Sequence, residues 1–130
     1  MLLVDVLTLP LLLILARKGD GYRAYYIVQL ATLLILNICY VLSAFINPGI
    51  IRVHPNNRTN QFCDQCQMFK EVGQKHCEIC RICIRKAAHH CPLLGTHIGE
   101  NNQIVFFLYV LGVFLWAISI TVSLSVCLSK

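Results

Sequence analysis

Three apolar stretches, parted by one short and one long polar stretch, organise the chain. Residues 2–16 (LLVDVLTLPLLLILA) are mostly apolar but number only fifteen. As helix they reach about 22 Å, against a hydrocarbon core of roughly 30 Å, and Asp5 and Pro10 interrupt them. No basic run precedes them and no small-residue cleavage site follows, which argues against a signal peptide. They are expected to form a short or truncated first span. Residues 24–46 (AYYIVQLATLLILNICYVLSAFI) give about 35 Å of helix, enough to cross. Tyr22, Tyr25 and Tyr26 stand at the start of this span, where amphipathic rings suit the water–lipid interface. Asn47-Pro48-Gly49 stops it, because neither proline nor glycine easily continues a helix. Gln29 and Asn37 within it are expected to bond to neighbouring helices. Residues 104–128 (IVFFLYVLGVFLWAISITVSLSVCL) form a further span of about 37 Å. The chain then ends at Lys130 with no fourth span. The expectation is a protein that stops there or a piece of a longer one.

Composition agrees with a membrane protein. Hydrophobic residues make up 57% of the 130 positions and charged residues 13%, where soluble domains carry about 25% charge. Mean hydropathy is +0.66. The net charge of +5 is unevenly placed: seven of the eleven Lys and Arg fall in residues 47–103, against three in residues 17–23. That asymmetry places the long polar segment in the cytosol. Nucleic acid is not expected as a partner, since flanking spans pin the segment to a bilayer and it has no basic helix. Asn57-Arg58-Thr59 is a formal glycosylation sequon, unused on the cytosolic side.

The polar segment carries the candidate chemistry. From Cys63 to His97 the spacing is C-x2-C-x9-H-C-x2-C-x2-C-x5-H-H-C-x5-H, six cysteines and four histidines. Apart from this cysteine spacing no internal repeat is evident. A reducing compartment disfavours disulfides. Paired C-x2-C thiols suit tetrahedral zinc, because two thiolates two residues apart reach one ion from a tight turn. So small a segment, with few large apolar side chains, also needs a staple, and a structural zinc contributes roughly 10–16 kcal/mol of apparent folding free energy. Two closed sites use eight ligands; ten candidates are present, and spacing alone does not say which two are spare. Cys39 and Cys127 lie in apolar runs, where small buried thiols are ordinary.

This pattern, C-x2-C-x9-H-C-x2-C-x2-C followed by Ala88-His89-His90-Cys91-Pro92 between transmembrane segments, resembles the DHHC cysteine-rich domain of protein S-acyltransferases (palmitoyltransferases). Asn47-Pro48-Gly49 falls where that family often has Asp-Pro-Gly, and Asn102 with Phe106 fits its N-x3-F. The resemblance implies an α-helical multi-pass membrane protein with a small cytosolic zinc-stabilised domain of short β-hairpins and loops. Residues 2–46 would hold two N-terminal transmembrane helices, residues 47–103 the cysteine-rich domain, and residues 104–128 the third helix. The ligand pairing it implies puts Cys63, Cys66, His76 and Cys83 on one zinc. Cys77, Cys80 and His90 would hold the second, with His97 at the position where the family has a cysteine. His89 and Cys91 are then spare, as base and nucleophile.

The implied activity is transfer of a fatty acyl group from acyl-CoA, through an acyl-enzyme on Cys91, to membrane-proximal cysteines of protein substrates. Golgi or endoplasmic reticulum membranes are the implied location. Ser119, Thr121, Ser123 and Ser125 would flank an acyl cavity or pack helices; Arg85 and Lys86 would meet CoA phosphates or stay solvated. Several positions depart from the family. Ala88 replaces its aspartate, which would hold the His89 tautomer; losing that role in a serine triad costs about 10⁴ in rate, and less for a thiol that is already partly ionised. Lys70-Glu71-Val72-Gly73 replaces Lys-Pro-x-Arg, Leu93 stands for a tryptophan, and no Thr-Thr-x-Glu follows. Ala88 therefore predicts a weak enzyme, or an inactive zinc-scaffolded membrane adaptor.

Overall fold

The computed structural model describes residues 20–51 and 61–128. The first apolar stretch, the sequon at Asn57 and the side chains of Tyr22 and Cys127 lie outside the described part. Helix α1 (Asp20–Phe45) and helix α2 (Gln103–Leu128) are 26 residues each. Within them Arg23–Phe45 and Gln103–Ser125 are long and apolar enough to cross a membrane, with mean hydropathies of 2.1 and 2.4. Their most apolar windows are only 22% and 11% buried, leaving Ile27, Leu34, Ile35, Phe107, Phe114 and Leu115 exposed. A soluble core helix would bury such residues; lipid accepts them, and a helix satisfies its own backbone there. Asn47 ends α1 by accepting the amides of Gly49 and Ile50 on its Oδ1, both at 2.9 Å.

Contacts divide the chain into two units, residues 1–38 with 109–130, and residues 39–108. In the first, Leu33, Leu36 and Trp116 pack together with Val113 and Ile120. A Cβ on Gly112 would stand 2.6 Å from Leu36 Cδ2, so glycine sets that approach. Buried Gln29 donates to Ser119 Oγ at 2.8 Å, and the Tyr25 hydroxyl to the Ser119 carbonyl at 3.1 Å, as the helix-to-helix expectation for Gln29 had it. Asn37 differs: its amide donates to Leu33 O in its own helix at 2.9 Å. The hydroxyls of Ser119, Thr121, Ser123 and Ser125 likewise turn back to carbonyls of α2.

Among its described residues the second unit holds three two-stranded antiparallel hairpins. They are β1 (Phe62–Cys63) with β2 (Met68–Phe69), β3 (Lys75–Cys77) with β4 (Ile82–Ile84), and β5 (His89–Cys91) with β6 (Thr96–Ile98). The cysteine spacing conceals a structural repeat. Cys63, Cys77 and Cys91 stand fourteen residues apart, and each pairs with the residue five positions on, Met68, Ile82 or Thr96. The fourth residue on is left-handed each time: Gln67, Arg81 and Gly95, with φ of 52°, 54° and 64°. Such hairpins are too short to persist alone.

The exit from α1 docks on the middle hairpin. Ile51 N donates to Cys83 O at 3.1 Å and Arg85 N to Gly49 O at 2.9 Å, so residues 49–51 lie along β4. Glu100 N donates to Arg85 O at 3.1 Å. Between them Gly99 leaves no room: a Cβ would collide with the Pro48 carbonyl and come within 2.8 Å of Ile84 Cγ2. Asn102 is fully buried. Its Oδ1 accepts from Gly99 N at 2.9 Å, and its amide donates to Ser43 O at 3.1 Å and His97 O at 3.0 Å. One side chain thus ties the last turns of α1 to the end of β6. Much of the remaining interior is thiol: Cys63 and Cys83 pack with Ile51 and Met68, and Cys77 with Ile84 and Ala87.

Candidate metal centres and the cysteine outside them

The hairpins bring two sets of four side chains together. Cys63, Cys66, His76 and Cys83 form one; Cys77, Cys80, His90 and His97 form the other. In each set the candidate ligand atoms all lie within 4.8 Å of one another. The membership is the one the resemblance implies, His97 included. Each C-x2-C pair converges because the left-handed residue after it folds the turn tightly; Cys80 N donates to Cys77 Sγ at 3.4 Å. Strand alternation does the rest. In β5, His90 points one way and His89 and Cys91 the other, while the register sets His90 opposite His97.

The residues fit a tetrahedral ion. Zinc–sulfur and zinc–nitrogen distances of about 2.3 and 2.05 Å at tetrahedral angles put sulfur and nitrogen about 3.6 Å apart. His76 Nδ1 lies 3.5, 3.3 and 3.7 Å from the sulfurs of Cys63, Cys66 and Cys83. His90 Nδ1 lies 3.9 and 3.1 Å from those of Cys77 and Cys80. Both ring nitrogens of buried His97 lack a hydrogen-bond partner. Leaving a buried polar atom unsatisfied costs about 1–3 kcal/mol, and a metal ion at the second set would take one of these nitrogens as ligand.

Ionisation points the same way. Burial pushes the Cys80 thiol up to about 11, and Cys83 up to about 12. Burial also raises Cys63, but hydrogen bonds from Cys66, Cys83 and the Gln65 backbone outweigh it and hold that thiol below its ordinary value. Burial thus opposes thiolate at Cys80 and Cys83; a dication removes that opposition, since it binds cysteine as thiolate. Burial, then the neighbouring His90 and His89, holds His97 below its ordinary value. The ring therefore stays neutral, the form that ligates.

Cys91 is the cysteine of the Cys63–Cys91 cluster that neither set contains. It is buried, opposite Thr96. His89 is exposed and meets Phe106 edge-on, with ring centroids 5.4 Å apart. Among the described residues no hydrogen bond joins the Cys91 thiol to His89. Ala88 is exposed, its amide donating to Ile98 O at 2.9 Å. The following turn is held by Tyr40, whose hydroxyl donates to Leu93 O at 3.2 Å.

Arg85 and Lys86 are engaged with acids that sequence reasoning missed. Arg85 Nε lies 2.8 Å from Glu71 and 3.5 Å from Glu100, and Lys86 Nζ 2.6 Å from Glu100. Glu71, Val72, Arg85 and Glu100 line an open polar cavity of about 430 Å³. No short spacing signals these pairs, which join segments that lie between and after the hairpins. Asn102 was visible only as half of a motif; its burial came from the fold.

Two thiol–imidazole centres on short hairpins, one thiol set apart, and apolar helices on either side define a membrane-associated cysteine-rich domain. Residues 56–130 match the sequence model of the DHHC palmitoyltransferase family, and the chain belongs to that family. Probable protein S-acyltransferase 5 of Arabidopsis thaliana is 41% identical over 51 residues, which are 39% of this chain and 11% of that protein. Human Palmitoyltransferase ZDHHC3 is 43% identical over 49 residues, 38% of this chain and 16% of the relative. Palmitoyltransferase ZDHHC15 of Xenopus laevis is 38% identical over 60 residues, 46% of this chain and 18% of the relative. The chain thus spans a minor part of the length of the curated relatives it matches.

Proposed function

We propose that this chain carries the reaction centre of a protein S-acyltransferase, with Cys91 as the acyl carrier. The observation that carries the reading is the position of Cys91. In a family of palmitoyltransferases, it is the cluster's one sulfur outside both candidate metal sets. The Cys91 thiolate attacks the thioester carbonyl of an acyl-CoA; the carbon–sulfur bond to CoA breaks and CoA leaves as thiolate, taking a proton. A substrate cysteine thiolate then attacks the Cys91 thioester, and Cys91 leaves in turn. Thioester replaces thioester in both steps, so no external energy source is needed. His89 accepts and returns the proton, which requires its ring to turn from Phe106 toward Cys91; hydrogen bonds of this kind often tighten only when substrate binds.

Two structural zinc ions, held by Cys63, Cys66, His76 and Cys83, and by Cys77, Cys80, His90 and His97, fix the hairpins that present Cys91. The apolar helices seat the chain in a bilayer as part of a multi-pass protein, with residues 47–103 on the cytosolic side by their excess of basic residues. Golgi or endoplasmic reticulum membranes follow by analogy alone. Substrates are proteins with cysteines close to that membrane.

Ala88, and the absence of a bond between the Cys91 thiol and His89, favour a second reading: a slow or inactive zinc-scaffolded adaptor. The two are separated by incubating the detergent-solubilised protein with labelled palmitoyl-CoA. Hydroxylamine-sensitive label on the native chain, lost in Cys91→Ser with both zinc ions retained, carries the first. No label with zinc retained carries the second. If His89 lacks an orienting carboxylate, Ala88→Asp raises the rate of labelling; an unchanged rate removes that argument.

A further inference from the structure

The three hairpins follow one fourteen-residue plan, and the third opens with a cysteine that no centre uses. In the first two turns, the third residue after the opening cysteine is Cys66 or Cys80, and both thiols of each turn enter a candidate metal set. In the third turn, with the same pairing register and the same left-handed residue, that place is Leu94. The remaining ligands of each set come from the next hairpin: His76 and Cys83 for the first, His90 and His97 for the second. Fourteen residues beyond His90 and His97 stand Ile104 and Leu111, both in α2.

We propose that Cys91–Gly95 is a third metal-knuckle turn held open, and that Leu94 is the residue that keeps Cys91 out of metal coordination. The turn geometry stands apart from the acyltransferase reading; the use made of the free thiol rests on it. A thiolate serves either as nucleophile or as metal ligand. Two sulfurs on such a turn chelate one soft dication, whereas Cys91 alone offers a single bond that solvent ligands and thiols displace. An acyl carrier built on a zinc-binding plan must escape the ions that load its neighbours; Leu94 removes the second thiol of the turn, and Ile104 and Leu111 stand where the further ligands would fall.

The test uses the full chain in detergent with both centres loaded with cadmium. Leu94→Cys is compared with the native chain and with Leu94→Val, a packing control; Leu94→His, whose ring also ligates, is the second variant should the first not fold. Bound cadmium is counted, and alkylation of Cys91 by iodoacetamide is followed by mass spectrometry with and without further Cd²⁺. Native chain and Leu94→Val should hold two ions, with Cys91 alkylated at a rate indifferent to added metal. Leu94→Cys or Leu94→His should take a third ion, and added Cd²⁺ should slow Cys91 alkylation by about tenfold or more, as coordination consumes the reactive thiolate. A folded variant with two ions and no protection overturns the proposal, as does protection of Cys91 by Cd²⁺ in the native chain. Failure of the acyltransferase reading looks different: no acyl label on native Cys91, with these counts unchanged.

Discussion

Replacing His97 with alanine removes one member of the second candidate metal set and leaves the first intact. A structural zinc site is worth about 10–16 kcal/mol over four ligands, so an even share is about 2.5–4 kcal/mol each. At 1.36 kcal/mol per decade the ion at this centre should bind roughly 10²–10³-fold more weakly. The metal-free protein should respond in the opposite sense. There the buried ring carries two nitrogens with no hydrogen-bond partner, each costing about 1–3 kcal/mol, and alanine removes both along with the packing of the ring. The variant should therefore lose affinity for one ion without losing comparable stability in the absence of metal. Competition against a chromophoric chelator, with elemental analysis of bound zinc, reads the affinities; urea unfolding of the chelator-treated proteins reads the stability. His97→Cys should restore two tight ions, since a thiolate is an equally good zinc ligand at slightly longer reach. Two ions held at native affinity by His97→Ala would refute the assignment of His97.

Two other perturbations test the scaffold. Asn102→Ala breaks three buried hydrogen bonds and strands their partners, which should destabilise the cysteine-rich unit by about 2–4 kcal/mol in urea unfolding; a loss within experimental error would mean that water replaces the amide. The metal-free chain should be most stable in a window of pH. His97 is held below 6.5 in the fold, so its contribution is present above about pH 6.5 and lost as pH falls through the lower value. Cys80 and Cys83 are raised from 9.0 to about 11 and about 12, so theirs is present below about pH 9 and lost as pH rises through those values. Cys63, lowered, opposes that alkaline loss in part. A urea midpoint that climbs steadily from pH 5 to pH 11 would contradict this.

The two long apolar helices and the candidate metal-holding residues were legible because each depends on a local rule. Twenty or so apolar residues in a row declare a crossing helix whatever surrounds them, and a C-x2-C pair declares a turn. The division of the candidate residues into two sets was legible only through the family likeness, since spacing permits several pairings of ten groups; the fold gathers them by strand alternation and register, which short segments do not announce. Gln29 and Asn37 show the same boundary: both are polar residues in an apolar helix, yet one reaches across to Ser119 and the other folds back to Leu33. The ion pairs of Glu71 and Glu100 and the three bonds of Asn102 link residues that only the folded chain brings together. The fourteen-residue plan escaped notice because its third copy carries Leu94, which breaks the cysteine rhythm while preserving the backbone.

Because each candidate set takes its last two members from the hairpin that follows, the two are completed in order along the chain. Cys83 closes the first set and His97 the second, fourteen residues later. During synthesis the nascent polypeptide can capture its first ion while His90, Cys91 and all of α2 are still inside the ribosome. Metallation would then run in the direction of translation, and the thiol that neither set contains would emerge onto a platform already half assembled.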